Sequence, residues 1–132
     1  MPVSSATRIT NTKEVLHRQV HPNFVRNGRP SSQAFRPSSR DEGQMSVSRG
    51  SRITAEAAYR RYTSQGRLSS GVWSVTVLEC NEVGLEAYDD PLEQDDAHAI
   101  VNFSPISSKG QVERIADKLA AAARQRGCQF MP

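Results

Sequence analysis

The stretch "GVWSVTVLEC" (residues 71–80) decides the fold class. It is rich in β-branched residues and alternates in strand fashion. Trp73, Val75 and Val77 fall on one face; Val72, Ser74, Thr76 and Leu78 fall on the other. Apolar residues on both faces predict a central strand. Further along, "GLEAY" (84–88) reads as a short strand. "HAIVNF" (98–103) reads as another, with Ala99, Val101 and Phe103 sharing a face. The segment "ISSKGQVERIADKLAAAARQRG" (106–127) carries the strongest helical pattern. Ser108 and Gln111 have capping-box spacing, Val112, Ile115, Ala116, Leu119, Ala122 and Ala123 make an apolar stripe, and Gly127 supplies a stop. The terminal "CQFMP" reads as an edge strand or a docked end.

On the N-terminal side, "GSRITAEAAYRRYTSQG" (50–66) predicts a helix over about 54–65. Thr54 is its N-cap, Glu56 lies in the first turn and Gly66 follows the end; Ile53, Ala57, Ala58 and Tyr62 would be its inner stripe. "MSVSR" (45–49) reads as a short strand. "KEVLHRQVHP" (13–22) fits a strand better than a helix, because a helix stopping at Pro22 would be only about nine residues long. Residues 1–12 read as a flexible tail. The expected architecture is α+β: one domain over 13–132, with a small, mostly antiparallel sheet and two helices, about 54–65 and 108–126, packed on it.

Between the first strands lies "RNGRPSSQAFRPSSRDEGQ" (26–44), an Arg/Ser/Pro-rich loop in which Arg-Pro-Ser-Ser occurs twice around Phe35. Loops longer than about 12–15 residues are usually functional or disordered. Arg29, Arg36 and Arg40 offer charge-assisted donors and Ser31 and Ser32 offer hydroxyls, a combination suited to an anion. Phe35 could anchor this loop in the core or stack on a base.

The net charge of +3 hides an asymmetry: residues 1–68 carry +8 and residues 69–132 carry −5. Eleven of the twelve bases in the first part are Arg, whose planar fork matches phosphate and carboxylate. The basic part therefore reads either as an anion-binding surface or as the internal partner of the acidic part. The acidic run from Glu79 to Asp96 lacks the layout of a calcium loop. No apolar run approaches the ~20 residues that span a bilayer, and "MPVSSATRITNTKE" lacks the pattern of a secretory signal, so the expectation is a cytoplasmic protein with no membrane partner. Cys80 and Cys128 have no CxxC spacing and read as free thiols.

Of the three histidines, His17 and His21 could chelate a metal on a helix. On a strand they stand ~13 Å apart, beyond the reach of one ion. No metal and no cofactor is therefore expected. His21 and His98, each at a strand end, are the candidate catalytic acid or base. Arg18 and Ser46 complete the candidate ligand-binding set with Arg29, Ser31, Ser32, Arg36 and Arg40. The common phosphate-loop motifs are absent, as are GxSxG and SxxK, so a serine hydrolase is not expected.

The segments "HPNFVRNGRPSSQAFRPSSRDEGQMSV" and "GVWSVTVLECNEVGLEAYDDP" together with "HAIVNF" resemble parts of short bacterial proteins; that resemblance implies no particular fold or ligand. The "LHR" of the first strand, followed by Ser-rich segments, is similar to ADP-ribosyltransferase-like enzymes. That likeness implies "SVSRG" and Glu79 as the matching elements. Three functions follow as expectations. The first is a binding module that holds nucleic acid, a nucleotide or an acidic protein through the Arg/Ser loop. The second is a toxin-like enzyme acting on RNA or NAD. The third is an immunity or interaction protein that uses acidic segment 79–96.

Overall fold

A computed structural model describes residues 7–37 and 43–132. Arg40 of the candidate set lies outside them, as do the two serines of the second Arg-Pro-Ser-Ser. The described residues form an α+β fold around a six-stranded antiparallel sheet. In chain order its strands are β1 (Thr7–Arg8), β2 (Val15–Gln19), β5 (Gln44–Arg49), β6 (Val72–Thr76), β7 (Glu86–Asp89) and β8 (His98–Asn102). Between β2 and β5 a small hairpin is made by β3 (Val25–Arg26) and β4 (Arg29–Pro30). The helices are α1 (Ala55–Thr63), α2 (Val77–Glu82) and α3 (Lys109–Arg126). The spatial order of the sheet is β1-β7-β8-β5-β2-β6.

The two faces of the sheet differ. One carries Leu16, Met45, Val47, Val75, Ala99 and Val101 into a core closed by Leu119, Ala120 and Ala123 of α3. The other carries hydroxyl, amide and imidazole groups; a small cluster of Ile53, Ala58 of α1 and Ala97 lies apart from the main core. Helix α1 therefore turns Ala58 inward while Ala57, expected on its inner stripe, is exposed.

The opening stretch behaves differently from its alternation in two respects. The strand stops at Thr76, and Val77 begins α2. Thr76 is a full capping box: its hydroxyl accepts from the Glu79 N–H (3.2 Å) and the Glu79 carboxylate accepts from the Thr76 N–H (2.9 Å). That reciprocal cap outweighs the β-propensity of the Val-Leu pair that follows. Moreover, β6 is the last strand of the sheet and not a central one. It is apolar on both sides because packing covers both sides, and its open edge is met by the C-terminal segment through a Val72–Phe130 bridge. Gly71 (φ 151°) permits that contact, since a Cβ there would lie 2.7 Å from the Phe130 carbonyl oxygen.

The expected tail of residues 1–12 contains β1, which pairs with β7, and the buried Ile9. The long loop is likewise tied down where it is described. Asn27 and Gly28 both have positive φ (55° and 75°), the geometry of a tight two-residue hairpin turn. A 3-10 turn at Ser32–Phe35 then inserts Phe35, 0% exposed, into the core. Arg18 clamps this turn to the sheet: Nε donates to the Ala34 carbonyl (2.8 Å), Nη1 to the Ser46 carbonyl (2.8 Å) and Nη2 to the Arg36 carbonyl (3.4 Å).

Much of the charge asymmetry is resolved inside the fold. Arg8 pairs with Glu86, Arg36 with Glu113, Arg49 and Arg52 with Asp89, and Arg61 with Asp95. Each of these joins the Arg-rich part of the chain to the acidic part. Glu14 is buried and receives Arg49 Nε (2.8 Å), the Ser51 N–H (3.0 Å) and the Ser51 hydroxyl (2.8 Å). Burial alone would raise this carboxyl, but the Ser51 and Arg49 contacts prevail and hold it below the ordinary range.

Candidate functional site

The polar face of the sheet forms the floor of a groove of about 910 Å³. Helix α1 and the segment leading into β8 wall it: Arg61, Tyr62 and Gln65 on one side, Leu92, Glu93 and Asp95 on the other. The floor arises from strand parity. Residues 17 and 19 on β2, 46 and 48 on β5, and 98 on β8 point away from the core, and each is polar.

Register then aligns one row straight across the sheet. Ser74 pairs with His17, His17 with Ser48, and Ser48 with His98. Asp90, just past β7, donates its N–H to the His98 carbonyl (3.0 Å) and extends the row by one more place. Neighbouring members are one strand spacing apart, ~4.8 Å.

The two histidines of the row have different environments. His17 is buried, and its Nδ1 lies 2.7 Å from the Ser74 hydroxyl. Burial lowers its pKa from the ordinary imidazole value, outweighing the neighbouring Ile53 main chain and the charge of Glu14, both of which favour the proton. His17 is thus a neutral structural link between β2 and β6, and the fully buried Ser74 is closed to solvent.

His98 is held through one nitrogen only. Its Nδ1 lies 2.9 Å from the Asp90 carbonyl oxygen and 3.1 Å from the Asp90 carboxylate. Both partners are acceptors, so Nδ1 carries the proton and neutral His98 keeps its lone pair on Nε2. That nitrogen has no partner among the described residues. His21 has the opposite tautomer. Its Nδ1 accepts from the Asn23 N–H (3.0 Å), which leaves Nε2–H as a donor. His21 lies beyond the end of β2, four residues on from His17; taken as extended chain and two strand spacings, that places it roughly 16 Å from His98. They mark different places in the groove.

Of the candidate residues, His21, His98, Arg18 and Ser46 line the groove. Arg29, Ser31, Ser32 and Arg36 do not. Arg36 is paired with Glu113 (2.8 Å), and the Ser31 hydroxyl is buried without a hydrogen-bond partner among the described residues. The groove adds residues that the sequence reading did not select: Gln19, Ser48, Arg61, Tyr62 and Arg67. The Arg67 guanidinium sits 5.4 Å over the Tyr62 ring, and Arg61 donates to Asp95 at 2.7 Å. Glu79, the position implied by the ADP-ribosyltransferase likeness, lies outside the groove with both carboxylate oxygens on Arg126 (2.8 and 2.9 Å).

Among the described residues no three His, Cys, Asp or Glu side chains are grouped to hold a metal ion. No helix among them is long and apolar enough to cross a membrane. Comparison with known proteins leaves the geometry to speak for itself: no protein-family model matches the chain, and neither a curated protein nor a solved structure matches it.

Proposed function

We propose that this chain is a binding module whose groove holds a phosphate-bearing ligand of the nucleotide class, a mononucleotide or a short single-stranded segment. The observation that carries the reading is the lining itself. One open groove gathers Arg61 and Arg67, the carboxylates of Glu93 and Asp95, the hydroxyls of Ser46 and Ser48, three imidazoles and the Tyr62 ring beneath Arg67. Arg over an aromatic face, beside hydroxyl donors, is the combination that takes a base and its phosphate together. The volume of about 910 Å³ is in the range of small-molecule sites.

The groove is favoured over the Arg/Ser loop because Arg36 is paired within the fold and Phe35 is committed to the core. It is favoured over the acidic segment because Glu79, Glu86, Asp89, Asp90 and Asp95 already have cationic or imidazole partners in the chain. The test is fluorescence anisotropy with a labelled single-stranded five-nucleotide RNA. Binding should weaken as salt rises, with a slope of roughly 0.7 log units per log unit for each phosphate held. Arg67→Ala should weaken it and Arg29→Ala should not. No binding of the RNA or of AMP, or equal loss in both variants, would refute the reading.

A further inference from the structure

We propose that Ser48 is a nucleophile, with His98 as its base and Asp90 as the group that orients the base, acting on carboxylic esters admitted by the groove. The proposal rests on the order of the row across the sheet. Asp90, His98 and Ser48 come from three different segments and occupy three successive places on one face. Asp90 fixes Nδ1 of His98 through two acceptors, which leaves the Nε2 lone pair for proton abstraction. Ser48 stands directly opposite His98 in an antiparallel pair, where Cβ atoms are ~4.5–5.5 Å apart. The two side chains are not hydrogen-bonded in this structure, so the mechanism requires the Ser48 hydroxyl to turn toward His98 Nε2 when substrate binds.

Ser48 is half-buried and lines the groove, and its hydroxyl has no hydrogen-bond partner among the described residues. His17 flanks it on the other side, but that ring is buried and its Nδ1 is held by the Ser74 hydroxyl. His98 is thus the base with a nitrogen to offer. The missing GxSxG and SxxK motifs make a serine hydrolase unexpected from the sequence, but a nucleophile, base and orienting acid are defined by geometry and not by chain order.

In the reaction the Ser48 hydroxyl proton passes to His98 Nε2 as Oγ bonds to the ester carbonyl carbon. The tetrahedral adduct collapses, the C–O bond breaks, and the alcohol leaves with the proton from His98. Water then hydrolyses the acyl-serine by the same route, its proton passing to His98 and on to the released Ser48 oxygen. Charge and atoms balance without a further reactant.

The test is a fluorophosphonate probe on the full chain, read by intact mass and peptide mapping. Oγ–P bond formation expels fluoride, and His98 takes the serine proton. The expected result is one phosphonyl group, on Ser48. Ser48→Ala should abolish it. His98→Gln should slow it ~100-fold or more, and Asp90→Asn ~10-fold or more. Fluorescence of the single Trp checks that each variant is folded, and Ser48→Ala removes only one oxygen. No label on the folded wild-type chain, label on a different residue, or an undiminished rate in His98→Gln would overturn the proposal.

Discussion

Glu14→Gln tests the ion network that fixes the strands beneath the groove. The Glu14 side chain is 3% exposed and that of Arg49 is 16% exposed, so the pair is shielded from water. Gln keeps the shape but removes the charge and places an amide N–H among donors from Arg49 and Ser51. Breaking a buried pair on one side typically costs ~3–5 kcal/mol. Arg49 retains Asp89 at 3.1 Å, so the low end applies, about 3 kcal/mol. With a urea m-value of ~2 kcal/mol/M, the midpoint should fall by about 1.5 M. The single Trp, Trp73, is buried and reports the transition. The pH dependence follows from the depressed carboxyl. The native state binds fewer protons here than the unfolded chain as pH drops, so the contribution is full above the unfolded value of 4.5 and is lost as pH falls through the lower folded value. The gap between wild type and variant should therefore be full at pH 7 and narrow below 4.5. A gap under 1 kcal/mol at pH 7, or one that widens on acidification, would refute this account of the network.

Two other changes probe packing. Phe35→Ala should cost ~3–5 kcal/mol by urea titration, because the ring is fully buried and its loss leaves a cavity; a change under 1 kcal/mol would mean that the loop is not docked. With a disulfide reagent at neutral pH, Cys128 should react in the folded chain and Cys80 only after unfolding. Burial, with the Glu79 charge, pushes the Cys80 thiol up to about 12; prompt reaction of two thiols would contradict its placement.

The elements with strict periodicity were legible in the sequence. Alternation in 45–49, 71–76 and 98–103 marks β5, β6 and β8, and the stripe from Val112 to Ala123 marks α3. Two features had local signals of their own that the broader pattern hid. Thr76 and Glu79 have capping-box spacing inside a β-branched run, and Asn27-Gly28 is a hairpin turn inside a segment of loop composition. The position of β6 at the sheet edge had no such signal, because burial on both faces comes from layers above and below and not from neighbours in the sheet.

The candidate site was legible only in part, for a physical reason. Parity along a strand shows that Ser46 and Ser48 share a face, and that His17 and His21 do. Which strands stand side by side is set by pairing far along the chain. Ser48 and His98 are fifty residues apart in sequence and adjacent only through the β5–β8 register. The Arg/Ser loop attracted attention through its composition, but Phe35 and the Arg18 clamp fix its described part as a strap over the core.

The central claim is that the polar face of the sheet, and not the Arg/Ser loop, is the ligand-binding surface. Backbone amide NMR of the full chain, titrated with AMP, tests it most directly. The account predicts progressive shifts at His21, Ser46, Ser48, Arg67 and His98, with Arg29, Ser32 and Arg36 unmoved. Shifts confined to residues 29–36, or no shifts at millimolar AMP, would contradict it.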